Sequence, residues 1–250
     1  MRMKDRDSGE QPATSRVAGV AEVLGRRIAE GRYPPDSTLP TEPELADALG
    51  VGRNAVREAV KMLAGKGLLR TSRRAGTIVQ PHAEWNLLDP DLLSWSLGSP
   101  QARERLLDEL MDLRWMIEPE VAAKAARRAT TVQCLRMWEA FEAMERERDD
   151  PVASIDADIL FHRRLFEAAD SRLLLSVFTA FSVLLRVNFA TANEHDNAFV
   201  SNLEEHKAVL EAVQRRDADG AAAAMRKLLT NNRADIERVR AQSRGEMAQV

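Results

Sequence analysis

Residues 39–79 read LPTEPELADALGVGRNAVREAVKMLAGKGLLRTSRRAGTIV, and the order of signals in this run decides the fold of the first part of the chain. Thr41 followed by Glu44 has the spacing of a capping box, in which a hydroxyl and a carboxylate satisfy the amides orphaned at a helix start. A helix is therefore predicted to begin near Pro43, with Leu45, Ala46 and Leu49 as its apolar face. Gly50 and Gly52 around Val51 supply the tight turn of a helix-turn-helix. A second helix follows, with Val56, Val60 and Leu63 at core spacing and Arg53, Asn54, Arg57 and Lys61 on the opposite side. Arg reaches guanine bidentately and Asn reaches adenine in the major groove, so these types at a helix N-terminus suit a recognition helix. After Gly67 the run LLRTSRRAGTIV reads as two short strands joined at Arg73, Arg74, Ala75 and Gly76, a basic wing. From Arg53 to Arg74 seven Lys or Arg face one acid, Glu58, a local net charge of +6. Basic residues every few positions also make an ordinary solvated helix face. What selects a winged helix-turn-helix is the order: capped helix, glycine turn, basic helix, basic hairpin.

The stretch resembles the GntR superfamily of bacterial regulators, whose pattern runs LPSE-x-x-LA, then SR-x-x-VR-x-AL, then a wing ending in G-T-x-V. Here Thr41 stands for the usual Ser, and Gly52 stands where a Ser ordinarily precedes the Arg, so one hydroxyl able to reach a phosphate is missing. The resemblance implies that Arg53 and Arg57 are the main base and phosphate readers, with Arg73, Gly76 and Thr77 at the wing tip near the minor groove. Asn54 and Arg74 lie beside them on the same basic surfaces.

The 250 residues allow two domains of ordinary size. The net charge of −3 conceals a separation: residues 1–80 carry +4 and residues 81–250 carry −7. Phosphate binding depends on local cations, so only the first part is expected to touch nucleic acid. A single cysteine, Cys134, excludes an intrachain disulfide and fits a reducing cytoplasm. No apolar run is long enough to span a membrane, and the polar N-terminus has no apolar core of a signal peptide. The expected organisation is a flexible stretch over 1–16, the DNA-binding domain over 17–80, a linker over 81–99, a helical domain over 100–240 and a flexible tail over 241–250. The linker contains WNLLDPDLLSW, too apolar to be free, and Trp85 and Trp95 are expected to pack it against one or both domains.

Between Gln101 and Asp219 there is no glycine, and helix formers dominate. Helices are predicted near 101–128, 131–148, 152–169, 171–192, 200–215 and 217–240, with Pro119 expected to kink or divide the first. Short breaks favour an antiparallel bundle. The fold class is thus mostly α, an N-terminal winged helix-turn-helix followed by an all-α bundle. In DADILFHRRLFEAAD, Asp158 and His162 stand four apart on one helix face, and His206 lies in LEEHKAVLEAV. A carboxylate and two imidazoles can hold a divalent transition metal such as Zn²⁺, Ni²⁺ or Mn²⁺. An acid and a His at this spacing are more often an ordinary semi-buried pair.

A helical domain of this length behind such a reader resembles the FadR subfamily with its FCD effector domain, whose D-x-x-x-H and two later His supply metal ligands. Asp158, His162 and His206 match the first three positions; Leu228 stands at the fourth, with Asn231 or Asn232 as substitutes. The resemblance further implies a small carboxylate effector and makes Arg114, in ELMDLRWMIEPE, its counter-ion. Arg186 and Asn188 in LLRVNFATANEH are further candidates for lining the cavity. The similarity looks strongest to members that regulate galactonate and related sugar-acid catabolism. The expectation is a homodimeric repressor on a pseudo-palindromic duplex, released by an acid such as D-galactonate. The competing readings are a metal-dependent enzyme using Asp158, His162 and His206, a regulator answering to another small carboxylic acid, and a plain architectural DNA binder.

Overall fold

The computed structural model describes residues 13–72, 74–98, 100–193 and 202–247. The chain divides into two compact units, Met1–Arg103 and Glu104–Val250.

The first unit comprises α1 (Ala13–Ala29), α2 (Glu42–Leu49), α3 (Arg53–Gly65), β1 (Leu69–Ser72), β2 (Gly76–Val79) and α4 (Pro90–Ser96). The predicted capping box is formed: the Thr41 hydroxyl accepts from the Glu44 amide, and the Glu44 carboxylate accepts from the Thr41 amide at 2.8 Å. Gly50, in the left-handed region at φ 65°, ends α2 and turns the chain into α3. The wing strands pair antiparallel from Leu69↔Val79 to Ser72↔Gly76, and Thr38 bridges to Ile78. Leu24 and Ile28 of α1, Leu45 of α2, Val56 and Leu63 of α3 and Val79 of β2 share one buried core.

Trp85, Leu92 and Trp95 belong to that same core. The segment expected as a linker therefore packs on the reader and carries a helix of its own, α4, capped by the Asp89 carboxylate. Two glycines make the fit possible. A Cβ on Gly25 would come within 2.3 Å of the Trp95 ring, and one on Gly67 within 2.1 Å of the Glu84 carbonyl oxygen. Lys66 closes the arrangement from α3's end by pairing with Asp89 at 2.6 Å and Asp91 at 2.9 Å.

Six helices follow: α5 (Pro100–Arg128), α6 (Thr131–Arg146), α7 (Pro151–Ala168), α8 (Arg172–Asn193), α9 (Leu203–Gln214) and α10 (Ala218–Met247). They match the predicted segments to within a few residues at most ends; α10 runs further, and Pro119 lies inside α5 without dividing it. Capping explains the starts. Thr130 and Gln133 form a reciprocal box at α6, and Asp150 accepts from the Val152 and Ala153 amides at α7, where Pro151 needs no donor of its own. Asp170 and Arg216 adopt positive φ between helices and so punctuate the bundle. Phe166 of α7 meets Phe178 and Phe181 of α8 at ring separations of 4.9 and 6.0 Å. Burying aromatic side chains of this size stabilises by about 1.5–3 kcal/mol each, and this cluster fixes the helix that carries Asp158 and His162.

Candidate functional site

In the first unit, burying Val56, Val60 and Leu63 turns the other side of α3 outward, and Arg53, Asn54 and Arg57 are exposed there. Arg57 is held by Glu42 of α2, Nη2 to Oε2 at 3.0 Å and Nε at 3.1 Å. That hydrogen-bonded carboxylate keeps the Arg57 pKa above its ordinary value. Lys61 pairs with Glu58 on the same helix. Lys66, one of the seven cations counted in this stretch, points instead into the Asp89–Asp91 contact. Arg74 and Gly76 are exposed at the wing turn, and Thr77 is half-buried. Gly76 has φ 75°, and a Cβ there would meet Thr38 Cγ2 at 3.3 Å, so the tight turn suits glycine. Arg73 lies outside the described residues.

The second unit buries an ionic centre. Arg114 and Glu118 come from α5, Asp158 and His162 from α7, and His206 from α9, all nearly or fully excluded from solvent. Arg114 Nε donates to Glu118 Oε1 at 2.6 Å. The other Glu118 oxygen stands 3.0 Å from His162 Nδ1, and Arg114 Nη2 lies 3.2 Å from His162 Nε2. Asp158 Oδ1 is 3.0 Å from His206 Nε2, and its Oδ2 is 3.7 Å from His162 Nε2. Phe161 packs edge-on against both imidazoles. Burial alone would raise the carboxyl pKa values. The Arg114 guanidinium, with His162, outweighs it at Glu118 and holds that carboxyl at about 2. His162, His206 and Arg114 likewise hold Asp158 below the ordinary value.

The hydrogen positions follow from what each nitrogen faces. His206 Nδ1 lies 2.7 Å from the Asn202 carbonyl oxygen, an acceptor only, so Nδ1 carries the hydrogen. In the neutral ring the lone pair then lies on Nε2, aimed at the Asp158 carboxylate. Neither His206 Nε2 nor Asp158 Oδ2 has a hydrogen-bond partner. Acceptors facing each other at this range call for a cation between them, either a proton that makes His206 an imidazolium or a metal. Ligand atoms of Asp158, His162 and His206 lie within 4.8 Å of one another. The donor set therefore fits a divalent transition metal, with the Asn202 carbonyl and the Glu118 carboxylate supporting the two imidazoles from behind.

Leu228 is buried, so α10 presents an apolar side chain at the position of the expected fourth ligand. Asn231 donates to Glu205 at 2.9 Å, whereas the buried Asn232 Oδ1 has no partner. Arg186 is not brought into the cluster: it is exposed and paired with Asp156. Asp156 is two residues from Asp158 and so projects from nearly the opposite side of α7. The Asn188 side chain lies outside the described residues. Sequence reasoning missed Glu118, whose signal was present as an acid four residues after Arg114 on the same predicted helix.

Comparison with known proteins accounts for both units. Residues 16–79 match the family "Bacterial regulatory proteins, gntR family", and residues 109–231 match the FCD domain. The galactonate operon transcriptional repressor of Escherichia coli is 34% identical over 200 residues, which are 80% of this chain and 87% of that protein. The Uxu operon transcriptional regulator of the same species is 31% identical across 92% of this chain and 88% of its own. Among solved structures, a Streptococcus agalactiae GntR protein superposes with a TM-score of 0.51 at 27% identity, covering 87% of this chain and 99% of that one. These relatives are regulators, and the reading as a metal-dependent enzyme falls with them. The chain is a transcription regulator of the GntR family, of the FadR-like type that joins a DNA-binding winged helix-turn-helix to an FCD effector domain.

Proposed function

We propose that this regulator is a homodimeric repressor of a sugar-acid catabolic operon, released from a pseudo-palindromic operator by an acid of the D-galactonate class. Arg53, Asn54 and Arg57 read the major groove, while Arg73, Arg74, Gly76 and Thr77 hold the wing against the neighbouring backbone. Residues 17–80 are the reader, and residues 100–240 bind the effector and supply the dimer contacts. Asp158, His162 and His206 hold a divalent metal such as Zn²⁺, which when bound would supply an electrophilic seat for the effector's carboxylate or hydroxyl oxygens. Arg114 completes the neutralisation of that carboxylate.

The observation that carries this reading is the buried convergence of acceptor atoms from α7 and α9 beside the α5 guanidinium. One guanidinium against the Glu118 and Asp158 carboxylates leaves the centre net negative, and a divalent metal held there would reverse that sign and so suit an anion that brings its own carboxylate and hydroxyls. The choice of a sugar acid leans on the 34% identical galactonate operon repressor. The signal passes by population shift: the effector binds one arrangement of the effector domain more tightly, and in that arrangement the two readers of the dimer lose the spacing of their half-sites. The test is binding of the purified protein to DNA from upstream of its own gene, titrated with D-galactonate at fixed salt. Dissolution of a specific complex at millimolar D-galactonate is expected. A complex that forms and ignores D-galactonate transfers the assignment to another small carboxylic acid; no specific complex removes Arg53 and Arg57 from the readers.

A further inference from the structure

The contact between Arg114 Nη2 and His162 Nε2, at 3.2 Å, has a chemical consequence. A guanidinium offers donors only and does not lose its proton, so the nitrogen it faces presents a lone pair. The Glu118 carboxylate, paired with the guanidinium at 2.6 Å, stands 3.0 Å from Nδ1 and accepts only, so the ring hydrogen faces it there although the contact is not aligned as a hydrogen bond. Both neighbours thus select the same tautomer, with the free pair on Nε2. That pair is also the one directed toward Asp158, 3.7 Å away, and it is the pair that a metal held with Asp158 and His206 would need.

One sp² lone pair cannot serve two cations. We propose that Arg114 is the resident cation of this site, competing with a divalent metal for His162 Nε2. The inference rests on the metal reading above and adds to it a built-in antagonist. Glu118 makes the arrangement stable without metal: it holds Arg114 Nε at 2.6 Å while its other oxygen stands at His162 Nδ1, so that one carboxylate sets both the guanidinium and the ring. Asp158 and His206 remain as the arm of the site that Arg114 does not occupy, and Asp158 Oδ2 and His206 Nε2 there have no hydrogen-bond partner. Metal entry then displaces the guanidinium rather than filling a waiting vacancy. Any anion that draws Arg114 off Nε2 favours metal entry, and by linkage the metal favours that anion equally.

The experiment measures Zn²⁺ affinity of the full chain by competition with a chromophoric chelator, comparing the wild type, Glu118→Gln, and the double variant Arg114→Met with Glu118→Gln. The double variant removes the paired Arg114 and Glu118 charges together and leaves the Asp158 carboxylate for the metal. It is expected to bind Zn²⁺ roughly tenfold or more tightly than Glu118→Gln alone, the scale on which groups behind metal ligands act. Equal or weaker binding overturns the competition and leaves the metal reading standing; no binding by any of the three removes both. A readout independent of whether the variants fold is the imidazole ¹⁵N spectrum of the metal-free wild type. His162 should carry its hydrogen on Nδ1 and none on Nε2, and added Zn²⁺ should shift Nε2. A hydrogen found on Nε2 overturns the proposal directly.

Discussion

Each half of the chain holds an Arg–Glu pair, and the two pairs differ most in their access to water. Arg57 and Glu42 meet at 3.0 Å with side chains 56% and 34% exposed, whereas Arg114 and Glu118 meet at 2.6 Å at 1% and 0%. In water an ion pair gains little and is easily exchanged for another partner, so Arg57 can leave Glu42 for a phosphate or a guanine edge at small expense to the fold. In the interior each charge is tolerable only because of the other, and the pair becomes a fixed part of the site. The reader keeps its charges available; the effector domain keeps its charges committed.

The largest effect that would break this contrast comes from removing one member of each pair. Glu118→Ala should destabilise the fold by about 3–5 kcal/mol, the usual consequence of stranding a buried charge. Arg57→Ala should leave stability almost unchanged, while weakening operator binding by roughly tenfold or more. Urea unfolding and operator titration at fixed salt measure the two quantities. If Glu118→Ala unfolds like the wild type, the second centre is more hydrated than its burial implies, and the distinction between the halves collapses.

A pair of intermediate burial sharpens the comparison through pH. Asp89 is mostly enclosed; desolvation pushes its pKa up, but Lys66 and the backbone amides of Leu92 and Asp91 more than reverse this and hold it below the ordinary 3.8. A carboxyl with a depressed folded-state pKa stabilises above its unfolded value, and that contribution disappears as pH falls through the folded one. Asp89→Asn can still cap α4 but loses the charge. It should therefore be less stable than the wild type by about 1–2 kcal/mol at neutral pH, with the two stability curves converging as pH falls through the depressed folded-state pKa of Asp89. Parallel curves down to acid would show that the charge on Asp89 contributes nothing.

The same contrast governs how much was legible in the sequence. The reader is written contiguously: the Thr41–Glu44 box, Gly50, and the basic run from Arg53 are all neighbours along the chain, and local rules recover them. Asp158 and His162 were legible for the same reason, since one helix turn joins them, and His206 stood as a third candidate by residue type that family resemblance strengthened. Glu118 was passed over although its spacing of four from Arg114 was there to read; its contact with His162 arises only when α5 is laid beside α7. Lys66 was counted with the surface cations because its partners, Asp89 and Asp91, lie more than twenty residues away beyond the wing. The packing of the segment carrying them was legible from Trp85 and Trp95, but not where it packs, since nothing local reveals that Gly25 leaves room for the Trp95 ring. Arg186 shows the opposite limit: its helix was foreseen, but not that its side chain would pair with Asp156 at the surface.

The smallest effect tests whether the reader is as open as its exposed charges suggest. Gly52 is the N-cap of α3, with an extended backbone at φ −73°, no side-chain cap, and nothing within 4 Å of where a Cβ would lie. A serine fits that geometry without strain, and its hydroxyl can accept from a first-turn amide that now lacks a capping side chain. Because glycine is already a tolerable N-cap, the gain should be only a few tenths of a kcal/mol, or about 1–3 °C in melting temperature. Gly52→Ser should also tighten operator binding slightly, since the hydroxyl would sit beside Arg53, which the proposed reading sets against the DNA. A drop in melting temperature would mean that the start of α3 is constrained by something its open surroundings do not reveal. A gain in stability without any gain in operator affinity would move the nearest phosphate away from this cap, leaving Arg53 to reach the DNA by its own length.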